Sequence, residues 1–318
     1  MLNELKFVMG AVSNKDFIPA LTHFKIENST VRSFNGTLAL CCPIALDINC
    51  APQAVPLIKA IQNCKEAVNL TLTASGKLSV KSGPFKALVN CVDFETPHAL
   101  PEGEFFELDG ESLLKGFKTL YPFIGDDASR PWSNGILLSG SCAFATNNVI
   151  AVQYWAASKF PIMCNLPRQA VKEIIRIGEA PISAQANENN ITFHYSGNRW
   201  LRSQLLETKW PDIDKMLNVE TNQVKLDQSI FEALANLKPF MDDFGRAFFK
   251  AGIISTHADF SEGASFEVDS VDFEAIYNLE MFAKLATIAK TVDLTTYPGP
   301  AIFAGDNLRG AIMGMRPL

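Results

Sequence analysis

The segment Arg168–Gly178, RQAVKEIIRIG, followed by ISAQANE (182–188), ITFHYSG (191–197) and WLRSQLL (200–206), decides the fold. The first piece has helical period, and the next three are short, alternating and bounded by turn residues, so the segment reads as one helix and three strands. The same order occurs twice more. Val55–Glu66 (VPLIKAIQNCKE) runs into VNLTLTAS, KLSVKSG and FKALVNC, and Glu280–Thr291 (EMFAKLATIAKT) runs into VDLTTY, AIFAGD and RGAIMGM. The mid-helix lysines Lys59, Lys172 and Lys284 are 113 and 112 residues apart. Such self-similarity is the mark of a duplicated unit.

A second helix is expected to open each unit, at Leu2–Val12, Glu111–Tyr121 and Ser229–Phe240, the last two capped by Asp109 and Asp227. Further strand patterns lie between the paired helices, as in GILLSG, CAFATN and VIAVQYW, with Asn134-Gly135 and Asn147-Asn148 as turns. Turn-rich stretches near 96–103 and after Trp210–Leu217 divide the chain into units 1–102, 103–217 and 218–318. The expected fold class is α+β: three tandem domains, each with two helices packed on antiparallel sheets.

The chain has 318 residues, of which 47% are hydrophobic and 19% charged, a composition that excludes disorder. Its net charge of −6 excludes a nucleic-acid binder that is basic all over, though not one with a local basic lining. The 23 phenylalanines against four tryptophans and five tyrosines point to packing rather than base-stacking surfaces. The six helices nevertheless hold eleven basic and six acidic residues, so they sum to +5 while the rest sums to −11. A strip of helices facing one way would attract a phosphate backbone without reading bases. Helix surfaces also favour lysine through propensity alone, and that reading stays open.

Seven cysteines without a CxxC pair read as small buried side chains of a reducing cytoplasm rather than a disulfide framework. The N-terminus lacks the cationic start and cleavage site of a signal peptide, and no run approaches the roughly 18 apolar residues of a membrane span. A cytoplasmic, soluble chain is expected. No metal-ligand spacing, phosphate loop or nucleophile elbow occurs, and no cofactor is expected. The carboxylate pairs Asp126-Asp127 and Asp242-Asp243 could hold a cation or serve as a general acid and base, but solvated turns are the commoner use of such pairs. The chain is expected not to be an enzyme.

Three stretches carry a resemblance. LLETKWPDIDKML (205–217) has an aromatic-Pro-Asp core before a short basic stretch, NGILLSG…FATNNVIAV (134–152) has an Asn-Gly-hydrophobic strand and an Ala-Thr turn, and AIMGMRPL (311–318) is a Met-rich tail. In this order, on three tandem units, they resemble the bacterial β sliding clamp family, the processivity subunit of DNA polymerase III. The resemblance implies two three-domain protomers joined head to tail in a ring around duplex DNA. Helices would line the hole, an ATP-driven clamp loader would open the ring, and the DNA polymerase would tether to it without chemistry. The residues facing DNA would then be Lys6, Lys59, Lys115, Lys118, Lys172, Arg176, Lys284 and Lys290.

The family's peptide-docking cleft, carried over by motif position, would take Thr146, Ile150, Pro211, Met216, Met313, Met315, Arg316 and Leu318, with thioethers repacking around apolar ligands. Outside the resemblance, Met313 and Met315 read as an ordinary last strand. The homodimer contact would set Phe94 against Phe240 and Met241, each of which is as readily a core residue of its own domain. Asn148 stands where the family has Gly, Val149 takes the place of a His-Arg pair, Gly314 replaces Pro, and Pro317 is an extra residue. These departures imply altered partner preference, and the trimmed units would suit a phage or otherwise divergent clamp. A second expectation is a monomeric adaptor of the same fold that never encircles DNA.

Overall fold

The structure, a computed structural model, describes residues 1–13, 17–93, 99–207 and 209–316. The helices are α1 (Leu2–Val8), α2 (Ala54–Gln62), α3 (Gly110–Leu120), α4 (Arg168–Ile177), α5 (Ile213–Leu217), α6 (Gln228–Leu237) and α7 (Leu279–Ala283). They combine with antiparallel sheets into two compact units, Met1–Lys115 with Ala157–Glu207 and Gly116–Ala156 with Thr208–Leu318. The α+β class expected from patterning is the observed one.

In the first unit a seven-stranded sheet runs Lys25–Glu27, Thr30–Phe34, Leu38–Pro43, Arg199–Gln204, Asn190–Tyr195, Ser183–Ala186 and Glu104–Glu107. Strands of the first and second sequence repeats meet in its middle, where Leu40 faces Leu201 and Leu38 faces Ser203. Helix α1 packs on the strands of the first repeat and against α2. A separate three-stranded sheet, Asn69–Leu72, Leu78–Ser82 and Phe85–Val89, completes the unit.

The second unit repeats this junction with the other half of the middle repeat. Seven neighbouring strands run Gly135–Ser139, Cys142–Thr146, Ile150–Trp155, Leu308–Ile312, Ala301–Gly305, Thr291–Asp293 and Val224–Lys225. Ala151 faces Ala311 and Gln153 faces Arg309 across the join. A four-stranded sheet of Ser265–Glu267, Ile253–Ser255, Arg246–Lys250 and Ala275–Asn278 lies in the same unit. Joining repeats edge to edge satisfies the backbone of strands that would otherwise be exposed edges. Both compact units therefore draw on the middle repeat.

Helix ends depart from the sequence pattern for identifiable reasons. Helix α4 stops as expected, with Gly178 at φ 72° donating its amide to the Ile174 carbonyl. Helix α6 gives way to a 3₁₀ turn at Lys238–Phe240, where Pro239 removes a backbone donor. The expected helix Glu280–Thr291 is only α7 and a 3₁₀ turn, Lys284–Thr287. There the Thr287 hydroxyl donates back to the Lys284 carbonyl, and the chain enters a strand at Thr291. Helix α5 forms where the sequence pattern predicts no helix, just before the expected turn-rich boundary, with the Asp212 carboxylate accepting from the Lys215 amide at 3.1 Å. Among the described residues no helix is long and apolar enough to cross a membrane.

Candidate functional site

Strand pairing in the second unit places the expected cleft residues. Thr146 and Ala151 are partners on adjacent strands, Ala151 and Ala311 on the next pair, so three small side chains share one face. Helix α5 lies over that face and buries Ile213 and Leu217 among Leu137, Phe144 and Ile302. Beside it opens a cavity of about 300 Å³, and five of the eight expected residues line it: Thr146, Ile150, Pro211, Met216 and Met313. Met216 and Met313 are exposed apolar side chains at its rim. Unbranched and polarizable, they can repack around different apolar ligands.

The turn beneath the rim shows how Asn replaces Gly. Asn148 adopts φ 70°, a left-handed conformation that Asn tolerates, and its amide donates to the Thr146 hydroxyl at 3.0 Å. The Asn147 carboxamide oxygen accepts from the Val149 and Ile150 amides at 3.1 and 2.8 Å. The Met313 amide then donates to the Val149 carbonyl at 2.9 Å, anchoring the tail to this turn.

The cavity has a wall that motif position did not supply. Arg130 and Trp132 line it, and Trp132 packs edge-on against Trp210 with ring centroids 5.3 Å apart. The signal was an aromatic residue two places before Asn134-Gly135. Met315 is not a lining residue. Its amide donates to the Ile276 carbonyl at 2.7 Å, and its own carbonyl accepts from the Tyr297 hydroxyl at 2.7 Å, so it lies along the strand Ala275–Asn278. Arg316 is exposed and not part of the lining, and Leu318 lies outside the described residues.

Of the expected DNA-facing residues, Lys6 on α1, Lys59 on α2 and Arg176 on α4 line one depression of about 420 Å³ in the first unit. Their charges differ in state. Arg176 is 43% exposed but directs its guanidinium inward. Its Nε lies 2.9 and 2.8 Å from the two carboxylate oxygens of Glu173, which is only 6% exposed, and its Nη2 donates to the Phe7 carbonyl at 2.9 Å. Hydrogen bonding to Glu173 raises the Arg176 pKa further. Gly10 makes room for this pair, since a Cβ there would meet the Glu173 carboxylate.

Lys6, Lys59 and Lys172 are exposed, as are Lys115 and Lys118 on α3. Lys284 lies in the 3₁₀ turn after α7, and its ammonium donates to the Pro122 carbonyl at 3.3 Å. Lys290 lies beyond the helix and pairs with Asp306 at 2.6 Å.

For the expected homodimer contact, Phe94 lies outside the described residues. Phe240 is 64% exposed and Met241 is half-buried. Phe244, which motif position did not pick out, is also exposed, with the Arg246 guanidinium 5.0 Å from its ring centroid. The carboxylate pairs serve turns. Asp127 accepts from the Ser129 amide and hydroxyl, and Asp242 accepts from Arg246 Nε at 2.8 Å and from two backbone amides. Among the described residues no cluster of three His, Cys, Asp or Glu side chains is placed to hold a metal ion.

No family model matches the sequence. No curated protein matches it either. Solved structures do. The chain is similar to the DNA polymerase III subunit beta of Pseudomonas aeruginosa, at TM-score 0.84 and 18% identity, covering 99% of this chain and 97% of that one. It is similar to the C. crescentus beta sliding clamp at TM-score 0.85 and 15% identity, covering 99% and 96%. The Helicobacter pylori beta clamp bound to a DNA ligase peptide matches at TM-score 0.79 and 15% identity, covering 99% and 97%. From end to end, the chain has the fold of the bacterial β sliding clamps.

Proposed function

We propose that the chain is a DNA sliding clamp: three tandem domains, divided near 102 and 217, that pair with a second copy into a ring around duplex DNA and tether the replicative polymerase. The observation that carries this reading is the likeness to bacterial clamps over nearly the whole of each chain compared. Exposed cations on α1, α2 and α4 suit a backbone that must be held and released without sequence preference. The cavity beside α5 suits a short apolar peptide from the polymerase or the clamp loader, and the Helicobacter clamp holds a peptide of DNA ligase. The role is topological, needs no catalytic group or cofactor, and belongs in the cytoplasm with the replication machinery.

Exposed Phe240 and Phe244 favour the ring over a monomeric adaptor, because large apolar side chains in water are the anchors that an interface covers. Sedimentation at micromolar concentration together with single-particle images tests this. A dimer with a central hole of duplex width is expected, and a persistent monomer would leave only the adaptor.

A further inference from the structure

Helix α5 is five residues long, far below the length at which an isolated helix holds together in water. Ile213 and Leu217 fasten its apolar side. Its polar side is fastened by Arg309 of the neighbouring strand, with Gln153 beside it. Arg309 donates from Nη2 to Asp214 Oδ1 at 3.0 Å, near the start of the helix. From Nη1 it donates to the Leu217 carbonyl at 3.3 Å, at the helix end. Its Nε donates to Gln153 Oε1 at 2.6 Å. Gln153 is 9% exposed, and its Nε2 in turn donates to Asp214 Oδ1 at 3.1 Å and to Cys142 Sγ at 3.2 Å.

We propose that Arg309 is the positioning residue of the docking cleft, holding α5 at the height that sets the cleft's width. This rests on the peptide-docking reading above. The guanidinium spans both ends of α5 and ties them to the sheet, which only a planar, multi-donor fork can do. A cation beside the last carbonyl also complements the helix dipole. The strand register delivers the effect to the cleft. Arg309 and Gln153 are partners, and two residues along on the same face lie Ala311 and Ala151, which line the cavity together with Ile213 and Met216 of α5. Without Arg309, the helix that carries Met216 keeps its N-terminal hydrogen bonds to Asp212 and Gln153 and its buried Ile213 and Leu217, but its last carbonyl loses its tie to the sheet.

The test compares the full-length wild type with Arg309→Ala and Arg309→Lys by hydrogen exchange, and by titration with a labelled copy of the DNA ligase peptide held by the Helicobacter clamp. In Arg309→Ala, amides within 214–218 should exchange at least about tenfold faster while the paired strands keep their protection, and the peptide should bind about tenfold more weakly. Arg309→Lys should fall between, restoring the Asp214 contact but not the fork. Asp214→Ala, at an exposed position, gives the same reading if Arg309→Ala does not fold. Unchanged exchange in 214–218, or loosened exchange with wild-type peptide affinity, overturns the proposal. A wild type that does not hold the peptide, with α5 loosened in Arg309→Ala, supports the anchoring of α5 and counts against the docking reading instead.

Discussion

The depression of the first unit and the cleft of the second are of similar size, about 420 and 300 Å³, both have apolar walls, and they differ in what stands at the rim. Three helices set Lys6, Lys59 and Arg176 around Met9, Val55 and Ile58 in the first, whereas the second has one cation, Arg130, among thioethers, a tryptophan and the small residues of paired strands. Charges on flexible stems act at a distance, tolerate displacement and weaken with salt. An apolar cavity works only by fit, so it depends on a fixed frame and is sensitive to single atoms. The first chemistry suits a ligand that must slide, the second a ligand that must stay.

That contrast predicts where single substitutions matter. The largest effect is expected at the cleft. Met313→Glu puts a carboxylate against apolar walls, and should weaken peptide binding by more than about 100-fold while leaving the melting temperature and DNA association unchanged. Calorimetric titration measures it, and near-wild-type affinity would remove the cleft from the account.

Next comes a break in the comparison itself. Arg176 shares the depression with Lys6 and Lys59 but is spent on buried Glu173. Arg176→Ala should therefore cost about 2 kcal/mol of stability, less than the loss of a fully buried pair because the guanidinium is partly solvated. Lys6→Ala and Lys59→Ala should each stay within about 0.5 kcal/mol. Denaturant melts separate the two classes. If all three variants unfold alike, the distinction between structural and solvated cations fails.

The solvated cations should act together and weakly. Lys6→Ala, Lys59→Ala and Lys172→Ala combined should lower the slope of log affinity against log salt by about 0.9 for each phosphate no longer neutralised. Nitrocellulose binding across a salt series reads that slope, and an unchanged slope would move the DNA-facing surface elsewhere.

Much of the fold is legible in the residues alone, and the remainder is hidden for physical reasons. The repeats show because helix and strand periods are local properties of side-chain order, as in Arg168–Ile177 and the three strands after it. Sheet fusion does not show, because nothing local in Leu38–Pro43 says that its partner lies about 160 residues away at Arg199–Gln204. Helix α5 is hidden for a related reason, being five residues held by tertiary partners rather than by propensity. The cleft residues Thr146, Ile150, Pro211, Met216 and Met313 came from motif position. Trp132 and Arg309 did not, since their roles depend on what folds against them.

The smaller expectations concern titration. Hydrogen bonds from Arg199 hold the Glu179 carboxylate below its ordinary 4.5. Asp242 also lies below its ordinary value, because hydrogen bonds from Arg246 outweigh its partial burial. A depressed carboxylate contributes stability that is fully present above its unfolded value and lost as pH falls through the folded one. The melting temperature should thus hold near neutrality and decline below about pH 4.5. Smallest of all, burial pushes the thiols of Cys50 and Cys164 up to about 12 and that of Cys42 to about 11, so native thiol labelling at pH 8 should spare them. Rapid labelling would mean that the cores around them open.

The central claim is encirclement, and loading the chain onto a nicked circular duplex with a clamp loader, then cutting the circle, tests it most directly. The account predicts that the protein stays with the circle through gel filtration at moderate salt and leaves once a restriction cut gives it an end to slide from. Equal retention before and after the cut would mean that the chain adheres to DNA rather than surrounding it.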